Sequence, residues 1–274
     1  FKCNRIILNS VTFEAIPKLY VVGFPDSLKN YLFHKQIHLK IMNYNGRILF
    51  EGKSPINGKP IVIIATGFKE KSANPKTGFM LQTWILSSQL KPNEAFKTNE
   101  NGYGESVCGG CPHALYNEPK KNGYAPCYVR TYHAPRSVYE CYIKGNYPHI
   151  ENDWHLFDNL PVRLGSFGDP CCIPVEILTN ILSRCSSHTG YTHQWRKPYG
   201  QHLKGICQAS ADGMRDYIEA TANGWMPFYV RKSSDAIPKG AMVCPASLEG
   251  GRKTTCSSCT SCDGASRPVV IINH

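Results

Sequence analysis

The sequence contains no stretch of about 18 consecutive apolar residues, so nothing in it reads as a bilayer-spanning helix. It also lacks the charged start, apolar run and small-residue cleavage site of a secretory leader. No G-x-G-x-x-G or Walker pattern follows a strand signal, and the glycines of GYGES and CGGC stand outside any such pattern, which excludes a nucleotide P-loop. No internal repeat or low-complexity tract stands out. These absences point to a cytoplasmic protein without a membrane partner.

Cysteine, by contrast, is abundant. A chain of 274 residues can bury a core without disulfides, so its 13 cysteines need another explanation. An odd count with C-x-x-C spacings at Cys108/Cys111, Cys256/Cys259 and Cys259/Cys262 reads as metal ligation or redox chemistry in a reducing compartment. Lys and Arg number 31 against 20 Asp and Glu, a formal charge of +11. That field favours phosphate-rich partners, a nucleotide or a nucleic acid, although the basic residues are spread along the chain instead of gathered in one arm.

Residues 1–41 mix apolar runs and charges without a clean period, and Met42 opens a more coherent stretch. They read either as an N-terminal extension or as a non-native leader, with 42–274 as a single domain. Strand signals follow in GRILFEG, KPIVIIATGF and GFMLQTWILSS, an antiparallel start. The polar stretch at about 100–130 is too poor in periodic apolar residues for helix or strand, and its cysteines must organise it. PRSVYECYIKGNYP has helical spacing, with Gly145 and Pro148 past its end.

Between 160 and 243 strands (LPVRLGSFGDP, HTGYTHQW, CQASAD, MPFYVRKS, GAMVCPAS) alternate with helices (IPVEILTNILSRC, PYGQHLKGI, GMRDYIEATANG), and PVVIINH closes the chain. Strand–helix alternation with short connectors predicts a parallel sheet. The fold class is therefore α/β: a partial or complete β/α (TIM-like) barrel with an antiparallel N-terminal portion and Cys-rich loops, a doubly wound open sheet being the competitor.

In such folds chemistry collects where strands end. The strand ends here carry Arg163, Ser166 and Asp169; Thr192, His193, Gln194 and Trp195; Ser210 and Asp212; Arg231; Cys244; and Asn273 with His274. Asp169, His193 and Asp212 are the candidate catalytic groups, orienting substrate or moving protons. Ser166, between two glycines that permit close backbone approach, together with Arg163 and Ser210, is the candidate cofactor-binding set.

Cys256, Cys259 and Cys262 form C-x-x-C-x-x-C, and Cys244 stands directly before Pro245. This run matches the ligand pattern of an iron–sulfur cluster; a tetrahedral zinc is the alternative. The segment 244–264 is otherwise polar, so these are not core thiols. The first set is Cys108, Cys111 and Cys127. Cys141 or His113 as a fourth ligand would close that site, whereas no fourth ligand would leave a coordination position open to substrate. Cys185 and Cys207 read as core thiols, and the adjacent Cys171 and Cys172 lie near the strand ends.

The order C-x-x-C-P, CY, RLGSFGDP, TGYTHQW, ASAD, FYVR, CPAS with C-x-x-C-x-x-C-x-G, and VVIINH resembles a group of phage and plasmid proteins related to the mycobacteriophage gene-product-88-like family. The resemblance spans roughly Lys59 to His274. It implies a β/α-barrel-like protein of mobile elements in which Cys108, Cys111, Cys127, Cys244, Cys256, Cys259 and Cys262 are the matching positions. The Cys-Tyr pair is also similar to phage relatives of radical S-adenosylmethionine enzymes, which would make S-adenosylmethionine a cofactor. The chain departs from them in lacking a C-x-x-x-C-x-x-C loop. Two functions remain open from sequence: an iron–sulfur enzyme acting on a nucleotide or nucleic acid, and a zinc-stabilised accessory protein whose Trp195, Arg196 and Tyr199 stack bases and contact a backbone.

Overall fold

The computed structural model describes residues 44–70, 74–97, 101–114, 116, 127 and 129–272. The expectations for 1–41, for Cys3, for much of 115–128 and for Asn273 and His274 lie outside the described residues.

Apolar, β-branched runs build the first half. Strands β1 (Gly46–Lys53), β2 (Pro60–Thr66) and β3 (Leu81–Ser87) pair antiparallel, as the sequence predicts. Ile61, Val62, Ile63 and Ile64 of β2 are all fully buried. A strand covered on both faces can carry a continuous apolar run instead of alternation. From β3 onward the pairing becomes parallel: β4 (Pro161–Phe167) lies against β3, and β5 (Ser187–Thr189) against β4. This mixed sheet has the order β1-β2-β3-β4-β5.

A second sheet is wholly parallel. Its strands β6 (Tyr191–Thr192), β7 (Gln208–Ala211), β8 (Pro227–Arg231), β9 (Met242–Val243) and β10 (Val269–Ile272) run in the order β6-β7-β8-β10-β9. Only Gly190 separates β5 from β6, so HTGYTHQW, expected to be one strand, is two strands that serve different sheets. A Cβ at Gly190 would stand 2.4 Å from the Cys207 sulfur, which explains why glycine occupies the switch. Among the described residues no pairing joins β1 to β9, so the strands are not seen to close into a barrel.

Among the described residues, three helices of eight residues or more pack on the core. In α1 (Ala134–Ile143) Pro135, Val138 and Tyr139 are buried; in α2 (Val175–Leu182), Leu178 and Ile181; in α3 (Met214–Ala222), Tyr217 and Ala220. Each is an i, i+3 stripe turned to the sheet. Tyr217 meets Tyr229 of β8 with ring centroids 5.7 Å apart. The units β4-α2-β5 and β7-α3-β8 are the parallel crossovers that the sequence alternation predicts.

GAMVCPAS yields only the two residues of β9. Cys244 still donates its N–H to the Val270 carbonyl at 2.9 Å, but Pro245 has no N–H to continue the ladder, and the chain turns away through Ser247, whose hydroxyl donates to the Cys244 carbonyl. It then reaches the helical turn Cys256–Cys259. There the Cys256 and Ser257 N–H groups donate to the Lys76 and Thr77 carbonyls of the β2–β3 connection at 3.0 and 2.9 Å. Farther on, the Cys262 carbonyl accepts the Gly190 N–H at 3.0 Å. No helix among the described residues is long and apolar enough to cross a membrane.

Candidate metal centre

β4 runs parallel to β5 in the first sheet and β6 to β7 in the second, and Asp169, His193 and Asp212 follow the C-terminal ends of β4, β6 and β7. The structure brings the three together. One Asp169 oxygen accepts the His193 N–H at 2.9 Å; the other accepts the Thr192 hydroxyl at 2.8 Å and the Cys171 N–H at 3.0 Å. Burial pushes the Asp169 carboxyl up, and these donors pull against it. With both oxygens engaged and the side chain buried, Asp169 positions the strand ends.

Asp212 carries the exposed chemistry. Its Oδ1 lies 2.8 Å from His113 Nε2 and its Oδ2 3.2 Å from His193 Nε2. Burial works to raise the Asp212 carboxyl, but His113 and His193 outweigh it and hold it well below the usual carboxylate range. Burial likewise works to lower His193, yet the bonds to Asp212 and Cys111 drive it up to about 10. His193 Nδ1 is 3.5 Å from the Cys111 sulfur. His113, expected from sequence as a possible fourth ligand to the cysteines, turns instead to Asp212. Its position two residues after Cys111 was the only sequence signal for it.

The C-G-G-C loop is anchored to the same strand ends. Within the helical turn Glu105–Cys108 the Val107 carbonyl accepts the Asp169 N–H at 2.9 Å, and the Cys108 carbonyl accepts Gln194 Nε2 at 2.9 Å. Gly109 has φ +57°, and a Cβ there would stand 2.7 Å from Gln194. The Tyr116 hydroxyl donates to the Gly109 carbonyl at 2.6 Å. Burial first, then the neighbouring Cys111 and Cys127 sulfurs, push the Cys108 thiol well up. Burial, with a smaller contribution from Cys111, raises Cys127. Cys108 and Cys127 thus lie near Cys111, whose sulfur faces His193. Cys141 is disulfide-bonded, which withdraws it from the fourth-ligand role.

The second set assembles from farther apart in sequence. Cys244 packs with Val269, Cys256 and Cys262. The Cys262 thiol is pushed up to about 12 by burial and by Cys244, Cys256 and Cys259, against the opposing bond to Tyr191. Burial raises Cys256 too, while Arg163 and Lys76 pull it back. Arg163, expected at the β4 end, lies within β4, and its charge acts on the Cys256 thiol. Ser166 is buried with its hydroxyl unpartnered. Ser210 is buried and gives its carbonyl to Trp195 Nε1 at 3.1 Å. Cys207 is a fully buried core thiol and Cys185 half-buried, as expected.

Sulfur spacing bears on which metal the sets fit. Zinc–sulfur bonds of about 2.3 Å place tetrahedral thiolates about 3.8 Å apart. Among the described residues, the group of three or more His, Cys, Asp or Glu ligand atoms lying within 4.8 Å of one another is His113, His193 and Asp212. Neither cysteine set is drawn in to single-ion spacing.

The base-stacking surface expected around Trp195 is not formed. Trp195 is 2% exposed, and Arg196 lies 3.7 Å over its ring while bonding Asp216 and Glu219. Basic residues meet elsewhere, in a cleft of about 590 Å³ lined by Lys76, Ser247, Arg252, Lys253, Thr254 and Thr255 beside Cys256. Sequence reasoning missed it because Lys76 and Arg252 are brought together only by the bonds of Cys256 and Ser257 to the β2–β3 connection. Comparison with protein-family models, with curated proteins and with solved structures finds nothing that matches this chain.

Proposed function

We propose that the protein is a cytoplasmic metalloprotein of the phage and plasmid type, built on an open arc of a TIM-like β/α barrel, whose cysteines hold iron–sulfur centres and which acts on a nucleotide or nucleic acid. The observation that supports this reading is the Cys111 sulfur 3.5 Å from His193 Nδ1, with Cys108 and Cys127 close enough to feel the Cys111 charge. With Cys141 in a disulfide and His113 on Asp212, the first centre has three thiolates and an open position. Cys244, Cys256, Cys259 and Cys262 form a closed, auxiliary set.

Bound there, a cluster supplies electron-transfer or Lewis-acid chemistry. The chain's own residues do the rest. His193 Nδ1 faces the Cys111 sulfur at 3.5 Å and orients it. Asp169 fixes the backbone that presents His193. Lys76, Arg252 and Lys253 offer cations to phosphate.

The cleft next to Cys256 favours a second reading, in which the cysteines stabilise a nucleic-acid-binding accessory protein through zinc and nothing turns over. Anaerobic purification followed by metal and sulfide analysis separates the two. Brown protein with iron and acid-labile sulfide, half lost in Cys108→Ser and the other half in Cys259→Ser, supports the enzyme reading. Colourless protein with stoichiometric zinc overturns it in favour of the second.

A further inference from the structure

We infer that His113, His193 and Asp212 form a mononuclear site for a divalent first-row transition metal, separate from both cysteine sets. The inference does not depend on what the thiols bind. Two imidazoles and one carboxylate present ligand atoms within 4.8 Å of one another. The Asp212 oxygens stand 2.8 Å from His113 Nε2 and 3.2 Å from His193 Nε2. Metal bonds of about 2.0–2.2 Å put neighbouring ligand atoms about 3.0–3.5 Å apart in a tetrahedral or octahedral shell. A cation can thus enter between these groups with only small shifts.

The surroundings fix the donors in the manner of a ligand site. His193 Nδ1 faces the Cys111 sulfur at 3.5 Å, which leaves Nε2 for the metal and sets the tautomer. The His193 N–H is held by Asp169 at 2.9 Å and the Asp212 N–H by Asp216 at 3.2 Å. The three side chains are 35%, 22% and 23% exposed, so one side of the group faces solvent and coordination positions stay open. Imidazole and carboxylate select iron(II), cobalt(II) or zinc over magnesium or calcium, and an open two-His-one-carboxylate set is the donor arrangement of metal sites that bind a further ligand. The Cys111 contact would also join this ion to the thiol set through one imidazole ring.

Cobalt(II) is the probe, added anaerobically to the purified full chain and followed by visible absorption. Nitrogen- and oxygen-ligated cobalt gives weak d–d bands, whereas cysteine-ligated cobalt adds intense sulfur-to-metal charge transfer. The expected result is one equivalent with d–d bands in the wild type, with affinity reduced more than about tenfold in Asp212→Asn and in His113→Gln and retained in Cys185→Ser. Half-exposed His113 keeps the test open if Asp212→Asn does not fold. Absence of these bands in the wild type, or their persistence in both variants, overturns the assignment. If the iron–sulfur reading fails instead, charge transfer from the vacant thiols appears on top of the d–d bands and survives Asp212→Asn.

Discussion

Replacing Gly109 by alanine tests how the first cysteine loop is held against the strand ends. The residue has φ +57° and ψ −142°, a region almost confined to glycine, and forcing a side chain into it costs about 1–3 kcal/mol. The new methyl would stand 2.7 Å from the Gln194 side chain. Gln194 must then move and give up its bond to the Cys108 carbonyl, a further loss of about 0.5–1.5 kcal/mol. The expected destabilisation is about 2–4 kcal/mol, read as a lower urea midpoint with unchanged slope under anaerobic conditions. On the function proposed above, metal held by the first set should fall while the second set stays loaded. Gly110→Ala is the internal control: beyond its chain neighbours no atom lies within 4 Å of where a Cβ would stand, and its φ is not positive, so stability should hold within about 0.5 kcal/mol. Equal behaviour of the two variants would refute the proposed anchoring.

Three further outcomes follow from the same geometry. If the cleft contacts phosphate as proposed, changing Lys76, Arg252 and Lys253 to Gln should weaken duplex binding and flatten the plot of log affinity against log salt by about 2 to 3, at roughly 0.9 per phosphate contact; an unchanged slope would remove the cleft from the interface. In metal-stripped protein, His193 is raised from 6.5 to about 10, so its contribution to stability is fully present below pH 6.5 and is lost as pH rises through 10. Urea midpoints should fall across that window and lose this dependence in His193→Gln. Cys207→Ser buries a hydroxyl in an apolar core and should lower stability by about 1–3 kcal/mol with metal content unchanged, whereas Cys262→Ser should lose the auxiliary metal.

Much of the fold is legible from the chain. The antiparallel start, the helices α1, α2 and α3 and the strands β4, β7, β8 and β10 stand where periodicity and turn residues put them, because each apolar stripe meets a sheet it can cover. The meeting of Asp169, His193 and Asp212 was legible too, since each follows the C-terminal end of its strand. What local pattern could not show was the bonding between loops. Cys256 and Ser257 meet Lys76 and Thr77 because the C-terminal segment folds back to the β2–β3 connection, and the buried Trp195 indole finds its partner in the Ser210 carbonyl. The break at Gly190 depends on Cys207, 17 positions onward, which no short window contains.

The bonds from Cys256 and Ser257 to Lys76 and Thr77 have a consequence for biosynthesis. On the ribosome, the β2–β3 connection emerges some 180 residues before the loop that completes it, and loop closure over such a separation is slow. Until the last cysteines leave the exit tunnel, the early hairpin must persist without its covering segment. Translation arrested shortly before residue 256 should therefore yield a nascent chain already competent at the first cysteine loop yet still lacking the floor of the basic cleft.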